Sequence, residues 1–125
     1  MAKVIIYNHM AIHYDTPLDR TFHALGDPTR RRMLSALHDN GNLTAGELGS
    51  PFNMSQPSAS KHLSVLEKAG LVKRTVKGRK HSFSLNAAPL EEADSWISRH
   101  TAFWNGSLDR LEALVETVTK EDIND

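Results

Sequence analysis

Apolar positions along this chain change their spacing as it proceeds, and each change marks an element. Met33, Leu34 and Leu37 recur at helical intervals between Asp27-Pro28 and Asn40-Gly41, which predicts a helix with an aspartate cap, a first-turn proline and a glycine stop. Thr16-Pro17 is the same opening device for an earlier helix that reaches about Leu25. Thr44 and Glu47 have the spacing of a capping box and open a short third helix that stops near Ser50-Pro51. A fourth helix is expected over 55–69, with Ser55 as N-cap, Pro57 in the first turn and Gly70 as terminator. At about 100° per residue its Ala59, Leu63 and Leu66 share one stripe, and Pro57, Ser60, Lys61, Ser64 and Lys68 lie opposite.

Past Gly70 the pattern becomes that of two strands, Val72 to Val76 and His81 to Leu85, around Lys77-Gly78-Arg79-Lys80. Val72, Val76, Phe83 and Leu85 are available to cover a core. A helical spacing then returns over 89–118, where Leu90, Ala93, Ile97, Trp104, Leu108, Leu111, Val115 and Val118 stand three, four or seven apart. Phe103 and Leu114 widen this stripe, and Gly106 is a local weakness that could mark a bend. A helix of about 45 Å is long for so small a domain, so its stripe suits a second copy of the chain. Val4-Ile5-Ile6-Tyr7 has strand propensity without period or caps, and 1–14 is expected to be an arm packed on a partner surface. The expected organisation is that arm, one domain over 15–118 and a tail at 119–125. The fold class is mainly α with a small β-hairpin, in the order α-α-α-α-β-β-α.

A short capped helix, a turn, a second capped helix and a hairpin in succession is a winged helix-turn-helix, the unit that lays one helix in the major groove of DNA. Charge supports that assignment locally, although the total is zero. Between Ser55 and Leu85 seven basic residues stand against one acidic residue, a net of +6, and from Asn86 onward three basic residues stand against nine acidic, a net of −6. Gathered cations gain affinity by releasing counterions from phosphates, which depends on the local field and not on the whole-chain sum. Lys77, Arg79 and Lys80 end the hairpin, where an ordinary solvated turn would mix signs. On the fourth helix short side chains allow close approach to the groove, Gln56 can read adenine bidentately, and Lys61 can reach guanine acceptors or phosphate. An ordinary amphipathic surface helix has the same periodicity; its place between the turn and the basic hairpin favours the DNA assignment.

With 125 residues, 39% of them hydrophobic, the chain suits one domain with its own core. It has no cysteine, which excludes disulfides, thiolate metal sites and thiol redox sensing. No run approaches about 18 apolar residues and no secretory cleavage pattern follows Val4 to Tyr7, so a cytoplasmic location is expected.

The run Leu25-Gly26-Asp27-Pro28-Thr29-Arg30, then Met54-Ser55-Gln56-Pro57-Ser58-Ala59-Ser60-Lys61-His62-Leu63 with Leu66-Glu67-Lys68-Ala69-Gly70-Leu71-Val72, then Gly78-Arg79, resembles the ArsR/SmtB family of bacterial transcription factors. Three separated motifs occur in order, and the resemblance extends from about Leu18 to Val118. It implies a homodimeric winged helix joined through its first and last helices, which binds an imperfect inverted repeat and usually represses. It also implies that Gln56, Pro57, Ser60 and Lys61 face bases and that Thr44, Arg79 and Lys80 contact the backbone. Ser55, Ser58, His62, Ser64 and Lys77 complete the expected DNA-binding set, and Phe22, Ile97, Trp104, Leu108, Leu111 and Val115 are the expected dimer contacts.

Metal-sensing members of that family use cysteines on the third helix or a carboxylate and histidine set on the last. Here the third helix has no thiol, and Asp94, His100, Glu112 and Glu116 lack the required spacing. His9 and His13 would make half a site. No metal, cofactor or membrane partner is therefore expected, and the closest likeness is to the cysteine-free branch without either sensor motif. Competing readings are a protein-interaction winged helix, which calls for a more apolar surface on the fourth helix, and a regulator with an unusual histidine metal site. An enzyme is disfavoured because the serines and histidines form no nucleophile or phosphate motif.

Overall fold

The computed structural model describes residues 16–123, with side chains through Lys120. The expected N-terminal arm, with its histidines, lies outside the described residues. The chain divides between Glu91 and Glu92 into two compact units.

The first unit is built from well-capped helices. Helix α1, Pro17–Leu25, opens with a reciprocal box: the Asp19 amide donates to Thr16 Oγ1 at 3.0 Å, and the Thr16 amide donates to Asp19 Oδ2 at 3.4 Å. Helix α2, Pro28–Asn40, has the Arg30 amide donating to Asp27 Oδ2 at 3.0 Å, and Gly41 closes it at φ +83°. Strand β1, Leu43–Thr44, leads into helix α3, Ala45–Gly49, where the predicted box forms: Glu47 N–H to Thr44 Oγ1, 3.2 Å, and Thr44 N–H to Glu47 Oε1, 2.9 Å.

Helix α3 stops before Ser50-Pro51 as expected; Ser50–Phe52 form a 3₁₀ turn, and the chain reverses at Asn53, whose φ of +51° asparagine tolerates. Helix α4, Gln56–Lys68, follows its Ser55 cap. Its end is a complete Schellman motif: Leu71 N–H donates to Leu66 O and Gly70 N–H to Glu67 O, both at 3.0 Å, with Gly70 at φ +75°.

Strands β2, Val72–Lys77, and β3, Lys80–Leu85, pair antiparallel in the register Lys77↔Lys80. The two-residue loop has positive φ at its first position, Gly78, as a type II′ hairpin turn requires. The sheet has a third strand that the sequence pattern missed, since β1 pairs with β3 through Leu43↔Phe83 and the order is β1-β3-β2. Val76 is a second correction. It is 53% exposed instead of covering the core, whereas Val72 and Phe83 are buried.

Met33, Leu37, Leu48, Leu63, Leu66 and Leu71 form the centre of this unit, each at most 1% exposed. Burial of such side chains contributes roughly 1.5–3 kcal/mol apiece. The buried Thr21 hydroxyl is satisfied by donating to Pro17 O at 3.0 Å.

Helix α5, Ala88–Ile123, crosses the unit boundary and supplies the second unit. It runs unbroken through Gly106 and beyond the predicted end at Val118, so 119–123 are helical where a tail was expected. Ile97, Phe103, Trp104, Leu108, Leu111, Leu114, Val115 and Val118 are 46–71% exposed.

Candidate nucleic-acid interface

The open side of α4 and the hairpin meet in one groove of about 440 Å³ lined by Thr44, Ala45, Gly46, Gln56, Ser60, Arg74, Arg79, Lys80, His81 and Phe83. Five side chains named from the sequence, Thr44, Gln56, Ser60, Arg79 and Lys80, are thus brought together from three separate elements. The fold explains this. Helix α4 buries Ala59, Leu63 and Leu66, which turns Gln56, Pro57, Ser60 and Lys61 outward, and the Schellman turn at Gly70 sends β2 back alongside the helix.

Ser55 and Ser58 are exposed but occupied with the cap, the Ser58 amide donating to Ser55 Oγ at 3.3 Å and the Ser55 hydroxyl to Ser58 Oγ at 3.1 Å. Lys77 opens onto a different cleft of about 210 Å³, which it shares with Thr44, Glu47, Thr75 and Lys80 among others. Ser64 is half-buried.

His62 departs furthest from the expected DNA-facing set. It is half-buried, with Nδ1 3.3 Å from Arg30 Nη1 and 3.8 Å from Asp27 Oδ2. Arginine can only donate, so at this contact Nδ1 accepts. The same guanidinium donates through Nε to Ala24 O at 2.8 Å and through Nη2 to His23 O at 3.1 Å, tying the end of α1 and the start of α2 to the middle of α4. Hydrogen bonding by the Arg30 amide, followed by the charge of Arg30, holds the Asp27 carboxyl below its ordinary 3.8 against the opposing effect of burial. Glu47 is likewise lowered, first by the Thr44 amide and hydroxyl and then by the Lys80 charge.

Two groove residues, Arg74 and His81, escaped the sequence pattern as site residues. Arg74 donates through Nε to Glu67 Oε2 at 3.2 Å and through Nη2 to Glu67 Oε1 at 3.0 Å. Its guanidinium carbon lies 4.9 Å from the Phe83 ring centroid, and Nη1 is 3.1 Å from His81 Nδ1. The available signal was an acid and a base seven residues apart across a helix end, which has no periodicity to flag it.

Among the described residues no three His, Asp or Glu side chains gather as a metal site, and no helix is long and apolar enough to cross a membrane. The six expected dimer contacts, Phe22 on α1 and Ile97, Trp104, Leu108, Leu111 and Val115 on α5, are all at least 36% exposed in the single chain.

Comparison with known proteins places this geometry among relatives. The family described as helix-turn-helix domain matches residues 25–75. The transcriptional repressor SdpR of Bacillus subtilis is 38% identical over 80 residues, 64% of this chain and 88% of its own length. A crystal structure of an ArsR family transcriptional regulator superposes with a TM-score of 0.67 at 33% identity, covering 76% of this chain and 97% of the other. An ArsR-like transcriptional regulator from Rhodococcus sp. RHA1 gives 0.68 at 28% identity, over 78% and 92%.

Proposed function

Because this chain belongs to the ArsR/SmtB family of winged helix-turn-helix, DNA-binding transcriptional regulators, we propose that it represses as a homodimer that occupies an imperfect inverted repeat and blocks the promoter. The observation that carries the reading is the shared groove, in which the base-reading candidates Gln56 and Ser60 lie beside the cations Arg79 and Lys80. Helix α4 enters the major groove. Gln56, Pro57, Ser60 and Lys61 meet base edges, with Ser55, Ser58 and Ser64 on its flanks, while Thr44, Lys77, Arg79 and Lys80 engage phosphates. His62 does not read DNA in this account; it fixes α4 against Asp27 and Arg30.

The repressor role is supported by the name of SdpR, and the dimer by the exposed stripe of α5 together with Phe22. One reading head covers one half-site, and a pseudo-palindrome whose half-site centres lie about one helical turn apart needs two. The DNA-binding domain is taken as residues 15–118, with α5 as its pairing element. Nothing in this function needs a bound cofactor, and the relatives named above are transcriptional regulators.

Fluorescence anisotropy with the duplex upstream of the protein's own gene tests the proposal. Lys61→Ala should lose roughly 1–3 kcal/mol and discriminate less between that duplex and a scrambled one. Arg79→Ala should weaken both alike and reduce the salt slope by about one. Equal loss of discrimination from the two variants, or from neither, would refute these roles.

A further inference from the structure

Arg74 sits where the recognition helix, the wing and the groove meet, yet most of its hydrogen-bonding capacity is turned away from a DNA partner. Its fork grips both oxygens of Glu67 at the end of α4, its guanidinium carbon lies over the Phe83 ring in β3, and its remaining nitrogen approaches His81. A guanidinium held bidentately over an aromatic ring has a geometry that lysine cannot reproduce. Both partners of the ion pair are 37% exposed, so the pair adds little to global stability. The pair does span the joint at which β2 leaves α4, where only Ala69, Gly70 and Leu71 intervene.

We propose that Arg74 is a positioning residue for sequence discrimination, a clamp that sets the angle between wing and recognition helix so that phosphate contacts made by the wing tip hold Gln56 and Ser60 in register with the bases. The proposal rests on the DNA-facing reading of the groove. It differs from the obvious alternative, that Arg74 is one more phosphate cation, in the behaviour it assigns to Glu67. Under the clamp, Glu67 is required for discrimination. As a mere neighbour of a phosphate contact it would weaken binding, and its neutralisation would tighten every complex.

The test pairs Glu67→Gln with Arg74→Lys, both of which leave the core intact. In the DNA-free protein, amide order parameters over 73–82 should fall in both variants from about 0.85 toward about 0.6. Against the upstream and scrambled duplexes, the ratio of affinities should fall about tenfold in both, with the salt slope of Glu67→Gln unchanged. The double variant should be no worse than either single one. Unchanged order parameters, uniformly tighter binding by Glu67→Gln, or full discrimination by Arg74→Lys would each overturn the clamp. Failure of the DNA-facing reading looks different, because the wild-type chain itself would then prefer neither duplex, and the proposal would fall with it.

Discussion

Asp27 shows how one side chain serves both stability and site. Its carboxylate caps α2 through the Arg30 amide and lies 3.8 Å from His62 on α4. Because it titrates below its ordinary value in the folded chain, its contribution is complete above about pH 4 and is lost as pH falls through the lowered folded value. Asp27→Ala should therefore cost about 1 kcal/mol at neutral pH, and the gap from wild type should shrink as pH falls from 5 to 2. Denaturant unfolding across that range checks it, and a pH-independent gap would show that the charge is irrelevant. The cap itself was legible, since Asp-Pro before an apolar run is a local signal. His62 was not, because the groups that draw it inward come from a segment 32–35 residues earlier.

Between elements, a tight approach lies where α3 meets α4. A Cβ on Gly49 would stand 2.9 Å from the Ala59 Cβ and 3.3 Å from Met54 Cγ. The methionine end can move; the alanine methyl is fixed to the helix backbone. Gly49 has φ −85°, which any residue adopts, so Gly49→Ala acts through overpacking alone and should destabilise by roughly 1–3 kcal/mol. DNA binding should weaken with it, and Ala59→Gly in the same chain should restore part of both. Thermal unfolding and anisotropy would show this, and an unchanged Tm would contradict the packing. All five α-helices among the described residues were legible from caps and periodicity, because those signals lie within each segment. Strand β1 was hidden because two residues, Leu43 and Thr44, become a strand only by pairing with Phe83 and Ser82, 40 and 38 positions on. Val76 was misassigned for a related reason: alternation indicates a face, but pairing with the exposed His81 near the hairpin end leaves that face uncovered. The groove was half legible. Its cations were visible as a charge run, while the Arg74 clamp depends on Glu67 and Phe83 meeting in space.

At the scale of the whole molecule, a chain of zero net charge holds a segment of net +6 and another of net −6, so overall pI says little about its affinity for DNA. The apolar stripe of α5 is exposed on a single copy, a face of the kind that marks association. Leu108→Glu with Leu111→Glu would bury like charges in the proposed seam at a cost of several kcal/mol. That variant should sediment as a monomer and lose operator affinity although its basic groove is untouched; a dimer of wild-type affinity would move the seam elsewhere. The most direct test of the account is a nuclease footprint of the wild-type protein on the region upstream of its own gene. Two protected half-sites with inverted sequence, centred about 10 bp or a multiple of it apart, are predicted. Protection of a single half-site, or none above that of unrelated DNA, would contradict it.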